Sequence, residues 1–382
     1  MNNKKLYCTA FFLFTVLMLK AQHISVPHFE NVNTFYGIDA KPYVGAASIS
    51  SLKLRVMFSH ICYADMNIHA DIEQLLHFFS PIEGHGSIGV FNFFGGSLNF
   101  PHIKNKLFAF SIFTGLYDYL GSDSLLQEHI KAKMSEPVFR TKYPASAFKP
   151  QNTISGTGIA LHGASKNGFY SGGYAYWNQK LHEDIRIKTD IRFGGKFDFF
   201  SFDVFAGAAV PKDIKSAEFR TGITMLFTAD EYYDFFLEAG IGKIKIEKPA
   251  MENFVSNFYA SFEARIKKEK INAAIACFVS PVFLLPSGIT DAVLKDSFFA
   301  GINTALTFGS LYFYNVEGGF SILASVNPQK PALITPFSFS VSPFITFKIN
   351  RLEFDLRFPV NPLMYKNIKQ MFTGQFSVKA VF

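Results

Sequence analysis

Beyond residue 22 the chain contains no uninterrupted apolar run of 18 residues, whereas segments with alternating apolar and polar side chains recur along most of its length. The nearest apolar stretch, residues 271–286, includes Asn272, Ser280 and two prolines, which suits neither a bilayer helix nor a coiled coil. The clearest alternation spans 184–193. Ile185, Ile187, Thr189, Ile191 and Phe193 occupy one parity, and Asp184, Arg186, Lys188, Asp190 and Arg192 the other. Residues 351–358 repeat it, with Leu352, Phe354, Leu356 and Phe358 opposite Arg351, Glu353, Asp355 and Arg357. Successive side chains of a strand point to opposite faces, so each segment predicts a strand with one greasy side and one charged side. Weaker versions lie at 217–227, 233–241, 254–266 and 300–308.

The connections carry sharper information. Working back from the C-terminus, candidate strands fall at 370–382, 350–358, 334–349, 310–320, 297–309, 268–280, 254–267, 232–242, 217–228, 197–208, 184–195, 168–180, 153–162, 106–117, 86–100 and 52–62. The count is about sixteen, with fourteen as the alternative, because 52–62, 86–100, 153–162 and 168–180 alternate less well. Tight joints at 350–351, 309–310, 267–268, 229–231, 194–196 and 165–168 alternate with longer ones at 359–369, 321–333, 281–296, 243–253 and 118–152. Two joints break the rule: 180–184 is a short member of the long class, and 101–105 is a long member of the short class. A soluble sandwich has no physical reason to gather its long loops at one end, whereas a barrel threaded through a membrane has one.

Composition agrees. Half the residues are hydrophobic (49%), 47 are Phe, and only 18% are charged, against the roughly 25% usual in soluble domains. Lys4 and Lys5, the apolar stretch 6–19 and the small residue Ala21 form a cleavable export signal over residues 1–21, since about 20 apolar residues would be needed to span as a helix. The signal holds three of the 37 basic residues and none of the 30 acidic ones, so the remaining positive excess is too mild to argue for nucleic acid. Cys8 leaves with the signal, and Cys62 and Cys277 are too few for a disulfide framework.

The last segment places Phe372, Phe376, Val378, Ala380 and Phe382 on one face, with Thr373, Gln375, Ser377 and Lys379 on the other. Here the chain resembles bacterial outer-membrane β-barrel proteins, whose last strand ends in an aromatic residue read by the barrel-assembly machinery. The resemblance covers the signal, the strand layout and the last strand, and it singles out no porin-like or fatty-acid-transporter-like family. It implies an all-β fold, a transmembrane antiparallel up-and-down barrel over 52–382, and location in the bacterial outer membrane. It also implies Phe376, Val378 and Phe382 as the assembly signal. Residues 22–51 are then a periplasmic segment or a plug, unless they add a strand. A short inserted hatch there would resemble the fatty-acid transporters of the outer membrane. Trimers are common among sixteen-stranded porins, and the sequence points to no subunit contact.

Only helices and closed barrels satisfy every backbone N–H and C=O inside lipid, and a barrel of about sixteen strands is wide enough for an aqueous bore. Arg186, Lys188, Asp190 and Arg192, and Arg351, Glu353, Asp355 and Arg357, are the expected pore-lining residues, with Glu218, Arg220, Glu263 and Arg265 as further candidates. Their mixed sign favours hydration and internal pairing over a single-sign filter. The competing reading is that they pair across the lumen and stiffen the wall. Most aromatics read as interface girdles, Tyr174, Tyr176 and Trp177 included, rather than as sugar-stacking platforms.

Enzyme motifs yield near misses only. Ser122-Asp123-Ser124-Leu125 lacks the glycine of the Gly-Asp-Ser-Leu hydrolase box, and Gly84, Gly86 and Gly89 have no strand–turn–helix context. His69, His77 and His85, with Asp65, Asp71 and Glu73, match no metal-ligand spacing and read as a solvated loop over 63–85. No catalytic residue, metal or cofactor is assigned. The expected function is a diffusion channel or substrate-selective transporter for small solutes. The alternatives are a surface-interaction barrel that binds ligands through loops 118–152 and 281–296, and a carrier of hydrophobic ligands with its site near 23–51.

Overall fold

The computed structural model describes residues 23–37, 43–58, 62–77, 80–103, 108–121, 152–165, 167–177, 186–211, 217–229, 232–245, 257–268, 270–281, 298–311, 313–326, 337–366 and 371–381. They form eighteen strands: β1 (His23–Gly37), β2 (Tyr43–Met57), β3 (Tyr63–His77), β4 (Ser80–Ile103), β5 (Phe108–Leu120), β6 (Asn152–Ala164), β7 (Phe169–Trp177), β8 (Ile187–Lys196) and β9 (Phe200–Val210), followed by β10 (Glu218–Thr228), β11 (Tyr233–Lys245), β12 (Phe258–Lys267), β13 (Ile271–Pro281), β14 (Phe298–Ser310), β15 (Val316–Val326), β16 (Phe337–Ile349), β17 (Leu352–Arg357) and β18 (Thr373–Val381). Each strand pairs antiparallel with the next. β1 also pairs with β18, from His28 opposite Val381 to Tyr36 opposite Thr373, so the sheet closes on itself without an edge.

The strand count is eighteen, not about sixteen, and both additions come from polar stretches. β1 lies in the segment expected to be a periplasmic tail or plug. Its backbone is hydrogen-bonded on both sides, to β2 and to β18, so residues 23–37 are wall and not hatch. Its alternation is blurred at Pro27, which sits where the register with β2 shifts between Ser25 and His28. Proline cannot donate to a ladder, and a bulge removes the need. β3 is the stretch expected to be a solvated loop. Tyr63 to His77 pair residue for residue with β2 from Met57 back to Tyr43, placing Asp65 opposite Arg55 and His69 opposite Ser51. Polar residues at alternate positions were the mark of a strand facing water on one side.

From β4 onward, tight and long connections separate to the two ends of the barrel, whereas the β1–β2 and β3–β4 joints are short although they lie at the long-loop end. The turns after β2, β4, β6, β8, β10, β12, β14 and β16 lie at the end that holds the start of β1 and the end of β18. Between β16 and β17 only Asn350 and Arg351 intervene, with Asn350 at φ 54°, a left-handed conformation that asparagine tolerates and two-residue hairpins require. Two expected joints move. β8 continues through Gly194 and Gly195 and turns at 197–199. β14 turns at 311–315, where the Tyr314 N–H donates to the Ser310 carbonyl at 2.8 Å, so β15 starts at Val316 and not at 310.

The faces are inverted relative to a water-soluble protein. Ile191 and Ile187 are 66% and 63% exposed, while Asp203 and Glu263 are fully buried. Phe235, Phe262, Ile275, Ile302, Val326 and Ile345 continue the exposed apolar face around the ring. An uncovered apolar face this extensive needs a solvent other than water, and lipid supplies it. Exposed aromatics ring the turn end: Phe197 and Phe199 after β8, Tyr232 before β11, and Phe313 and Tyr314 before β15. This is the girdle position at a membrane–water interface, where amphipathic rings partition. The fold is that of an outer-membrane β-barrel. Cys62 and Cys277 are both free thiols. The expected signal over 1–21, the terminal Phe382 and nearly all of loops 118–152 and 281–296 lie outside the described residues.

Candidate constriction in the bore

Three glycines lie side by side across β4, β5 and β6: Gly95 opposite Gly115, and Gly115 opposite Gly156. Gly115 has φ 82°, and a Cβ on Gly156 would stand 2.2 Å from the Trp177 carbonyl oxygen. A row without side chains lets the sheet crease. Directly beyond it the β5–β6 register shifts between Leu116 and Asp118, and the corner made by residues 116–121 and 152–155 enters the bore.

Contacts prove the direction. The Asn152 amide of β6 donates to the Tyr259 hydroxyl of β12 at 3.1 Å. These strands are six places apart in the ring, roughly 29 Å along the wall at about 4.8 Å per strand, so the bond runs through the interior. Asp118 of β5 accepts from Arg192 Nη1 of β8 at 2.9 Å and from the Tyr174 hydroxyl of β7 at 2.7 Å. Arg192 also donates Nη2 to Asp203 of β9 at 2.7 Å. Arg220 of β10 donates to both Asp190 oxygens at 2.8 and 2.9 Å, to the Tyr176 hydroxyl at 2.9 Å and to the Thr153 carbonyl of the corner at 3.1 Å. Phe113, Leu120, Ile154, Phe205 and Tyr259 pack into one buried apolar cluster beside these bonds. The corner is therefore held by apolar contact and by two arginines. Arginine suits the task because its planar fork serves several acceptors at once and stays charged when buried.

The expected lining residues divide. Asp190 and Arg192 are buried on the inner face, each committed to the ion pairs just described. Arg186, just before β8, pairs with Glu218 at 2.8 Å, and Lys243 joins the same carboxylate at 3.0 Å. Lys188 is half-buried, its Nζ 5.9 Å from the centre of the Tyr176 ring. On β17, Asp355 accepts from Arg357 Nε at 2.7 Å and from Thr346 at 2.8 Å, and Arg357 lies 4.7 Å over the Phe344 ring. Glu353 is half-buried and Arg351 is exposed in the turn. β8 and β17 stand nine places apart in a ring of eighteen, so the two sets occupy opposite walls. Glu263 and Arg265 pair on β12.

Several members of the constriction escaped sequence reading. Tyr174 and Tyr176 are not girdle residues: both are buried inside, hydrogen-bonded to Asp118 and Asp190, and only Trp177 is exposed among the three. Asp118 was assigned to a long connection, and Asp203 sits on a strand whose inward residues include Phe205, which breaks the polar-inside rule. The signal available was the glycine row, but it exists only once the register is known. His69, His77 and His85 have backbones in β3 and β4, and their side chains lie outside those described.

No protein-family model and no curated protein matches the sequence. Solved structures match in fold. The chain superposes on OccAB2 of Acinetobacter baumannii with a TM-score of 0.51 and 11% identity, over 95% of this chain and 98% of that one. The outer membrane protein opdK of Pseudomonas aeruginosa gives 0.51 and 8% over 95% and 99%, and OccK5 (OpdH) of the same organism 0.50 and 7% over 94% and 98%. At such identities the likeness is one of architecture.

Proposed function

We propose that this barrel is an outer-membrane channel for passive passage of small solutes, its bore narrowed by the β5–β6 corner. The observation that carries the reading is the Asn152–Tyr259 bond together with the Asp118–Arg192 pair. These contacts bring one sector of the wall inward and leave a lumenal pocket of about 310 Å³ beside it. A wall closed by its ladder alone has no need to spend buried charge in this way. Arg186, Lys188 and Glu353 keep enough exposure to line a water path. Asp190, Arg192, Asp355 and Arg357 act as braces. Lipid covers the outward apolar band, and the last strand, with Phe376, Val378 and Phe382, is the segment the assembly machinery would read.

The likeness to opdK, described as an outer membrane protein, supports the setting and not the substrate. Refolded protein in planar bilayers should show stepwise conductance, and proteoliposomes should swell in isosmotic small solutes. A folded, heat-modifiable protein that gives neither is a closed barrel, and the reading fails.

A further inference from the structure

The outer face of β1 carries two carboxamides, Asn31 and Asn33, and the register fixes their direction. They stand opposite Val378 and Phe376 of β18, while Val32 and Thr34 stand opposite Ser377 and Gln375, which share the bore side with Asp355 and Arg357 of β17. Directly paired residues of a ladder point to the same side, so Asn31 and Asn33 face outward with Phe35, which is 41% exposed. β1 runs from His23 to Gly37, so Asn31 follows its middle residue and both amides lie at hydrocarbon depth. Phe29 and Phe35 flank them along the strand, with Val378 and Phe376 on one side of the sheet and, beyond Ser50 of β2, Ala70 of β3 on the other. No other strand carboxamide with a described side chain faces lipid: Asn67, Asn99, Asn152, Asn272, Asn303 and Gln375 all lie on the bore side. The outward pair is satisfied only in part. Asn31 Nδ2 donates to the Ser50 hydroxyl at 2.8 Å and to the Ser48 hydroxyl at 3.2 Å, and Asn33 Nδ2 donates to Asn31 Oδ1 at 2.5 Å. This leaves one N–H and the carbonyl of Asn33, together with the two serine O–H groups, without partners among the described residues. An acyl chain supplies no partner for them, and an unmatched polar group in hydrocarbon is costly.

We propose that the β1–β2 face is where a second copy of this chain docks, side by side in the membrane. The unmatched groups are self-complementary: about a two-fold axis beside Asn33, its N–H donates to the carbonyl of the partner's Asn33 and its own carbonyl accepts in return. Ser48 and Ser50 are small enough for the two walls to approach within hydrogen-bonding distance, and their O–H groups face the same contact. A lipid tail fits such a surface in shape but leaves its donors empty, and a lipid headgroup lies outside the depth at which the amides stand. The proposal needs only the barrel in its membrane and holds whether or not the bore conducts.

The test is sedimentation equilibrium of the full chain, refolded in density-matched detergent, over a range of protein-to-detergent ratios. Wild-type protein should pass from monomer to dimer as the ratio rises. Asn33→Leu and Asn33→Ala should each lower the association constant about tenfold, the loss expected for two hydrogen bonds at membrane depth. Asn33→Gln keeps an N–H and a carbonyl and should restore most of the association, whereas Thr189→Val, exposed on β8 seven places round the ring, should leave it unchanged. Heat-modifiable mobility on gels shows that each variant has folded. Wild-type protein that stays monomeric at every ratio overturns the proposal and leaves the patch to a different protein. Association undiminished in both Asn33→Leu and Asn33→Ala overturns it by placing the contact on another face, and a trimer overturns the two-fold arrangement.

Discussion

From β5 to β12 the inner wall is held by charged and aromatic side chains that reach past their neighbouring strands, whereas from β13 to β16 the buried inward residues described are Ala274, Ala276, Phe278, Ser280, Asn303, Ala305, Thr307, Ser321, Leu323, Ser325, Ser342, Phe344 and Thr346, with no charge among them. Both arcs have the same ladder of backbone hydrogen bonds. The difference teaches what each kind of bonding is for. A ladder alone keeps strands side by side, and small neutral residues suffice beneath it. Side chains with charge and reach are required where the wall departs from the cylinder, at the corner beyond the glycine row.

That contrast can be broken by substitution. The largest effect is expected from Arg192→Met, which leaves Asp118 and Asp203 without their shared cation. Removing one partner of a buried pair costs about 3–5 kcal/mol, to be read from guanidinium unfolding of the vesicle-folded protein. Gly156→Val should follow, at about 1–3 kcal/mol, because the new Cβ meets the Trp177 carbonyl. Its single-channel conductance should also rise if the corner is driven from the bore. Tyr259→Phe removes the acceptor of the Asn152 amide and should cost about 1 kcal/mol, with a similar opening of the channel. On the neutral arc, Ser342→Ala removes a buried hydroxyl that has no hydrogen-bond partner among the described residues, so stability should move by less than about 0.5 kcal/mol. A Ser342→Ala effect as large as that of Arg192→Met would erase the distinction between the arcs.

Legibility followed the same division. β8 and β17 were readable because their two faces differ in the chemistry that water and lipid demand, and the structure keeps those faces as read. β3 alternates as well, with Asp65, Asn67, His69, Asp71 and Glu73 at odd positions and Met66, Ile68 and Ile72 between them. It reads as a loop because a run rich in histidines and carboxylates fits a solvated connection as well as it fits a strand with one wet face. β1 was obscured by Pro27 and its bulge. Tyr174 and Tyr176 misled for a different reason: an aromatic at alternate positions fits a lipid interface and a packed lumen equally well, and only the Asp118 and Asp190 carboxylates placed opposite decide between them.

Strand character over most of the chain, the closed-barrel class and, from β4 onward, the ends to which short and long connections run were determined by the order of residues alone, because period-2 patterning and loop length are local properties that lipid and water read segment by segment. Which charges meet was decided only in three dimensions. Arg192 finds Asp118 across 74 positions of chain, and Asn152 finds Tyr259 across 107, because ring closure and the crease at Gly95, Gly115 and Gly156 bring remote strands face to face. Distance through the bore depends on register summed around eighteen strands, and no window of sequence contains that sum.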